Sequence, residues 1–123
     1  MEEEEQQEEF ENYIEINEYV TKYYNDWMYD AIINKTLKEA EEEADYDLIE
    51  LLLESKRESA GFLGILHLEN KEFRLLYRYM DRAYKSSYEQ AKRIYIRKAH
   101  NQFLREFKEL LEFMVRDDRY TMI

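Results

Sequence analysis

Advancing each residue by about 100° around a helix axis gathers most apolar side chains of this chain into long stripes of constant direction. From Phe10 through Tyr13, Ile14, Asn17, Val20, Tyr24, Trp27, Met28, Ala31 and Ile32 the stripe stays within roughly 140°. That pattern predicts a first helix over residues 4–33, running through Asn25-Asp26 without a break. Thr36-Leu37-Lys38-Glu39 has the Thr-x-x-Glu form of a capping box. Leu37, Ala40, Ala44, Leu48, Leu51, Leu52, Ser55, Ser59, Phe62 and Leu66 then share one direction, which predicts a second helix over 36–66. Lys56 and Arg57 followed by Gly61 also resemble a C-terminal turn, but the phase continues to Leu66 and favours a continuous helix with a buried run from Ser59 to Leu68.

Asn70 can cap a third helix over 71–99, with Phe73, Leu76, Tyr77, Met80, Ala83 and Tyr84 on its apolar face. A reversal of phase near His100 and Asn101 sets off a fourth helix over 102–116, and the ends, 1–5 and 117–123, are expected to fray. Connections near 34–36 and 68–70 are too short to return along a helix about 45 Å long. The expected fold is therefore all-α: a single domain built as an elongated antiparallel up-down helical bundle, three long helices plus a shorter C-terminal one.

Composition supports long helices, because the 123 residues include no proline and only two glycines, Gly61 and Gly64. The absence of cysteine excludes disulfides, thiolate zinc sites and thiol catalysis. The glutamate-rich start is the opposite of a basic leader, and no apolar run approaches the roughly 18 residues of a membrane span. A cytoplasmic protein without membrane attachment is expected.

Charge changes the picture more. The net charge of −11 conceals an asymmetry: residues 1–47 hold seventeen acids against three lysines, whereas residues 70–105 hold ten basic residues against three acids. On the predicted first helix Glu11, Glu15 and Glu18 point away from the apolar sector, and on the second Glu39, Glu43, Asp47, Glu50, Glu54 and Glu58 form another acidic row. The third carries an outward basic stripe of Lys71, Arg74, Arg78, Arg82, Lys85, Lys92 and Arg93, with Tyr79 interleaved. Beside the first helix's apolar sector lie Ile16, Tyr19 and Tyr23, wider than one core contact needs. Tyr19, Tyr23 and Tyr79 are accordingly candidate interface aromatics, since tyrosine tolerates half-exposure. The bland alternative has the arginines bridging to neighbouring acids and the tyrosines at the edge of the core.

Motifs for chemistry are scarce. Neither His67 nor His100 has a glutamate three residues before it, which removes the di-iron bundle pattern, and no spacing supports a metal or cofactor. Arg93 and His100, with six residues between them, resemble the Arg-x(4–6)-His signature of HEPN-type ribonucleases. That resemblance implies a role for the two residues at an RNA phosphate. His67 otherwise reads as a satisfied histidine in the buried run.

No catalytic residues are assigned, and the charge distribution leads to a non-enzymatic interaction protein. Its acidic helices would engage a protein partner with a basic, nucleic-acid-binding surface, as an inhibitor or regulator that imitates nucleic acid. The composition is similar to that of small inhibitors made by phages and archaeal viruses. The alternatives are a homodimer or other assembly joined through the basic stripe and the tyrosine-rich flank, and nucleic-acid binding by the stripe itself.

Overall fold

The computed structural model describes residues 12–56, 61–93 and 98–121, with side chains throughout except at 91–93 and 98–99. It overturns the all-α bundle: three strands form a mixed sheet that packs against helices. The elements run β1 (Asn12–Asn17), β2 (Val20–Tyr24), α1 (Asp26–Glu42), α2 (Tyr46–Ser55), β3 (Phe62–Gly64), α3 (Asn70–Arg93), α4 (Lys98–Val115) and α5 (Asp118–Thr121). In the sheet, β1 lies between an antiparallel β2 and a parallel β3.

The first predicted helix fails at a specific point. Helical residues two apart lie about 200° from one another, so Ile14 and Ile16 cannot both face one core. On a strand they can, and both are fully buried in β1. Asn12, Ile14 and Ile16 alternate with half-buried Tyr13, Glu15 and Asn17, the period-2 pattern of a sheet covered on one face. The hairpin turn uses neither glycine nor proline: the Asn17 side-chain oxygen accepts from the backbone N–H of Tyr19 (2.8 Å) and Val20 (3.0 Å). Asn25 then caps α1, its side chain accepting from Met28 N–H at 3.0 Å. Residues 4–11 of the predicted helix lie outside the described residues.

The second predicted helix is divided as well. The proposed cap at Thr36 falls within α1, where the residue is fully buried. The real stop comes later, where Ala44 takes a left-handed φ of 55°. Ala44 N–H donates to Glu41 O and Asp45 N–H to Ala40 O, a Schellman closure with alanine where glycine is usual. Asp45 caps α2 by accepting from Leu48 N–H. Of the run expected to be helical near Gly61, residues 57–60 lie outside the described residues and Phe62–Gly64 form β3 instead, with Leu63 buried but Phe62 exposed. His67, expected inside, is exposed.

Helices α3 and α4 occupy nearly the positions expected from their stripes, although α4 begins at Lys98 and includes His100 and Asn101. The core unites Ile14, Ile16, Tyr24, Leu63 and Ile65 with Tyr29, Ile32 and Ile33 of α1, Phe73 and Met80 of α3, and Phe107, Leu110 and Met114 of α4. Fully burying each aliphatic side chain contributes about 1.5–3 kcal/mol.

Of the residues expected to fray, 1–5 and 122–123 lie outside the described residues, whereas 117–121 are tied down. Arg119 donates to the carbonyls of Ile16 (2.7 Å), Ile65 (2.6 Å) and Leu68 (2.8 Å), and its guanidinium lies 4.1 Å over the Phe73 ring. The same guanidinium pairs with buried Asp117, which also accepts from the Asn17 side chain at 2.8 Å. The Arg119 guanidinium, ahead of the Asn17 amide, holds the Asp117 carboxyl down at about 2.

Candidate interaction surfaces

Alternation along β1 sends Tyr13 and Glu15 to the side opposite Ile14 and Ile16. Register then decides which residues join them. Tyr13 stands opposite Tyr23 of β2 and Phe62 of β3, so one aromatic ring from each strand falls in a single row. The Tyr13 ring centroid is 5.5 Å from that of Tyr23 and 4.9 Å from that of Phe62, with planes inclined by 32° and 44°. Tyr23 is 57% and Phe62 46% exposed, so no described element covers the row. Thr21, Glu15 and Gly64 occupy the next register positions. Beyond them, the hairpin turn presents Glu18 and Tyr19, the latter 85% exposed.

Gly64 shapes this surface through space rather than dihedral freedom, because a Cβ there would come within 2.7 Å of the tip of the Phe62 ring. The ring leans over the glycine. Gly61, of the buried parity, has a firmer neighbour: a Cβ there would overlap the Tyr29 ring. Tyr29 cannot yield easily, since it is buried and its hydroxyl donates to Ser55 O at 2.7 Å. Burial pushes that hydroxyl up to about 12.

The strands contain one cation, Lys22, and it turns inward. Its ammonium meets Glu109 at 2.8 Å and Glu106 at 3.9 Å, and lies 5.5 Å over the Phe113 ring. Behind it, burial and then Glu106 and Glu109 raise the Tyr24 hydroxyl far above the usual tyrosine range. The outer sheet face therefore has aromatics and a carboxylate but no positive charge of its own.

Of the acidic residues singled out from the sequence, Glu15 and Glu18 lie on the strand and its turn rather than on a helix, while Glu11 and Glu58 lie outside the described residues. Glu39 and Glu43 end α1, with Glu43 paired to Arg82 at 2.9 Å. Asp47, Glu50 and Glu54 are exposed on α2 and form no ion pair among the described residues. Tyr46 (75% exposed) and Leu53 (48% exposed) interrupt them, so α2 presents an outer surface of mixed acidic and apolar character.

The basic stripe is less available. Arg82 pairs with Glu43, Lys85 with Asp81 at 2.9 Å, and Arg74 donates to Arg119 O. Lys71 and Arg78 are exposed, and the side chains of Lys92 and Arg93 lie outside the described residues. Tyr79 is not an outward aromatic: it is 3% exposed and donates its hydroxyl to Asp45 at 2.9 Å. Burial, then the Asp45 carboxylate, pushes that hydroxyl up to about 12. Tyr19 and Tyr23 are exposed, whereas Ile16, grouped with them in the sequence, is buried beneath.

His100 has a buried Nε2 with no hydrogen-bond partner among the described residues, and its ring sits 6.1 Å from Phe103. The Arg93 side chain, paired with His100 in the HEPN-like spacing, lies outside the described residues. No cluster of three or more His, Cys, Asp or Glu able to hold a metal occurs among the described residues. Among them, no helix is long and apolar enough to cross a membrane. The chain matches no family model, no curated protein and no solved structure.

Sequence reasoning missed Tyr13 and Phe62, the centre and one end of the aromatic row. The alternation Tyr13-Ile14-Glu15-Ile16 was a usable signal for the first. Nothing local marked Phe62, whose neighbours are set by pairing with a strand about fifty residues earlier.

Proposed function

We propose that this chain is a non-enzymatic interaction protein that engages a partner protein with a basic surface, acting as its inhibitor or regulator. The observation that carries the reading is the outer surface of α2, where Asp47, Glu50 and Glu54 form no ion pair among the described residues and alternate with exposed Tyr46 and Leu53. Carboxylates without internal partners favour encounter with a basic surface, while apolar side chains among them add short-range affinity.

Imitation of a nucleic-acid duplex draws less support. The acidic row is broken at Ala44, and Glu43 is already paired with Arg82. Carboxylates one helical turn apart are spaced by about 6 Å, against one charge per about 1.7 Å in duplex DNA. Self-association or nucleic-acid binding through the α3 stripe is likewise weakened, because Arg82 and Lys85 are engaged within the chain.

The test is affinity purification from the native cell, with and without nuclease, comparing the natural chain with Glu50→Lys/Glu54→Lys. A nuclease-resistant partner whose recovery falls about tenfold or more on charge reversal is the expected result. Unchanged recovery would overturn the reading.

A further inference from the structure

We infer that the outer face of the sheet is a guanidinium-reading site, at which the row Tyr23–Tyr13–Phe62 stacks against arginine side chains of the basic partner while Glu15 pairs with them. The inference rests on the proposed engagement of a basic partner and adds a second contact, together with a preference for arginine over lysine.

The row provides three aromatic faces in succession, with centroid separations of 5.5 and 4.9 Å and two of its rings about half exposed. Such a platform could receive nucleobases, an apolar surface or cations, and the surrounding charge decides among them. A nucleic acid stacking here would bring phosphates that require lysine or arginine nearby. The outer register positions are Tyr13, Glu15, Thr21, Tyr23, Phe62 and Gly64, none of them cationic. The sheet's one lysine is held inward by Glu106 and Glu109.

A second copy of this chain is also disfavoured. An isologous contact would bring Glu15 and Glu18 toward the equivalent carboxylates across the two-fold axis. A cationic partner meets neither obstacle. The face of an aromatic ring attracts a cation, and a planar guanidinium can lie flat on it while its N–H groups reach a carboxylate. An ammonium has no plane to stack and holds its water more tightly, so arginine gains more from this geometry. Helix α2 packs beside β3, the strand that carries Phe62.

The experiment is isothermal titration of the full chain with two synthetic peptides in a Gly/Ser background, equal in length and charge, one built on arginine and the other on lysine. The expected result is about fivefold tighter binding of the arginine peptide, the increment of one or two exposed cation–π contacts. Tyr23→Ser and Phe62→Leu should bring the ratio near one, the latter because leucine retains apolar area but has no ring face. Glu50→Lys/Glu54→Lys on α2 should weaken both peptides alike and leave the ratio intact. If both peptides bind equally and Tyr23→Ser changes neither, the sheet-face site is overturned while the acidic reading stands. If neither binds at low salt, the acidic reading fails too. Tighter binding of single-stranded RNA than of the arginine peptide, or a dimer in sedimentation that Tyr23→Ser dissociates, would also overturn the site by assigning the face to another occupant.

Discussion

The two faces of one small sheet use the same residue types for opposite purposes. Tyr24 and Tyr23 are adjacent on β2, yet Tyr24 is buried and Tyr23 is more than half exposed. The inner face is fastened by apolar packing, the Lys22–Glu109 pair and carbonyls satisfied by Arg119. On the outer face, the Tyr13 ring contacts those of Tyr23 and Phe62, and among the described residues the neighbouring Glu15 forms no ion pair. Apolar area placed inside contributes to folding, whereas area left outside remains available for association.

Substitutions on the two sides should therefore separate stability from binding. The largest effect belongs to Arg119→Ala, which orphans the Asp117 carboxylate and the carbonyls of Ile16, Ile65 and Leu68. A loss of about 3–5 kcal/mol is expected in denaturant titration. Acid should act on the same junction. Because the Asp117 carboxyl is depressed from 3.8 to about 2, its contribution is complete above pH 4 and disappears as the pH falls through 2. About 2 kcal/mol of acid-dependent stability should thus be present in the natural chain and absent from Asp117→Asn in pH-resolved melting.

The glycines make a closer comparison. Gly61→Ala forces a methyl group into the fixed Tyr29 ring and should cost about 1–3 kcal/mol. Gly64→Ala meets only the free tip of Phe62 and should leave stability within about 0.5 kcal/mol, while its nuclear Overhauser contacts to Tyr13 change. On the outer face itself, Tyr23→Ser should lower stability by less than about 1 kcal/mol, the worth of a cross-strand aromatic pair. A destabilisation as large as that of Gly61→Ala would show that the outer row serves the fold rather than association.

The helices α3 and α4 were largely legible from sequence because an amphipathic stripe persists through several turns in each and tertiary packing preserves it. The N-terminal half was not, and the reasons are local. Asn17 replaces glycine as the turn former by lending its side chain to two backbone amides. Ala44 adopts the left-handed conformation that normally announces itself as glycine, so the end of α1 carries no sequence mark. Thr36 shows the reverse error, a capping sequence absorbed into a helix interior. For the candidate surfaces, exposed Tyr19 and Tyr23 could be singled out by composition and phase, but their association with Tyr13 and Phe62 required the sheet register. Tyr79 shows the limit of reading facing from one helix: its outward phase on α3 is met by Asp45 from the α1–α2 turn.

The Arg119 junction also bears on timing. Its guanidinium reaches a carbonyl 103 residues earlier in the chain, and Asp117 meets an amide 100 residues earlier. Contacts of such separation carry a large loop-closure cost and cannot form until the intervening chain exists. During synthesis, the hairpin can emerge and pair, but the Ile16 carbonyl beside its turn must remain with water until Arg119 has left the ribosome. A latch of the sheet is thus added by a segment about a hundred residues later in the chain, making the order of emergence part of how this fold is completed.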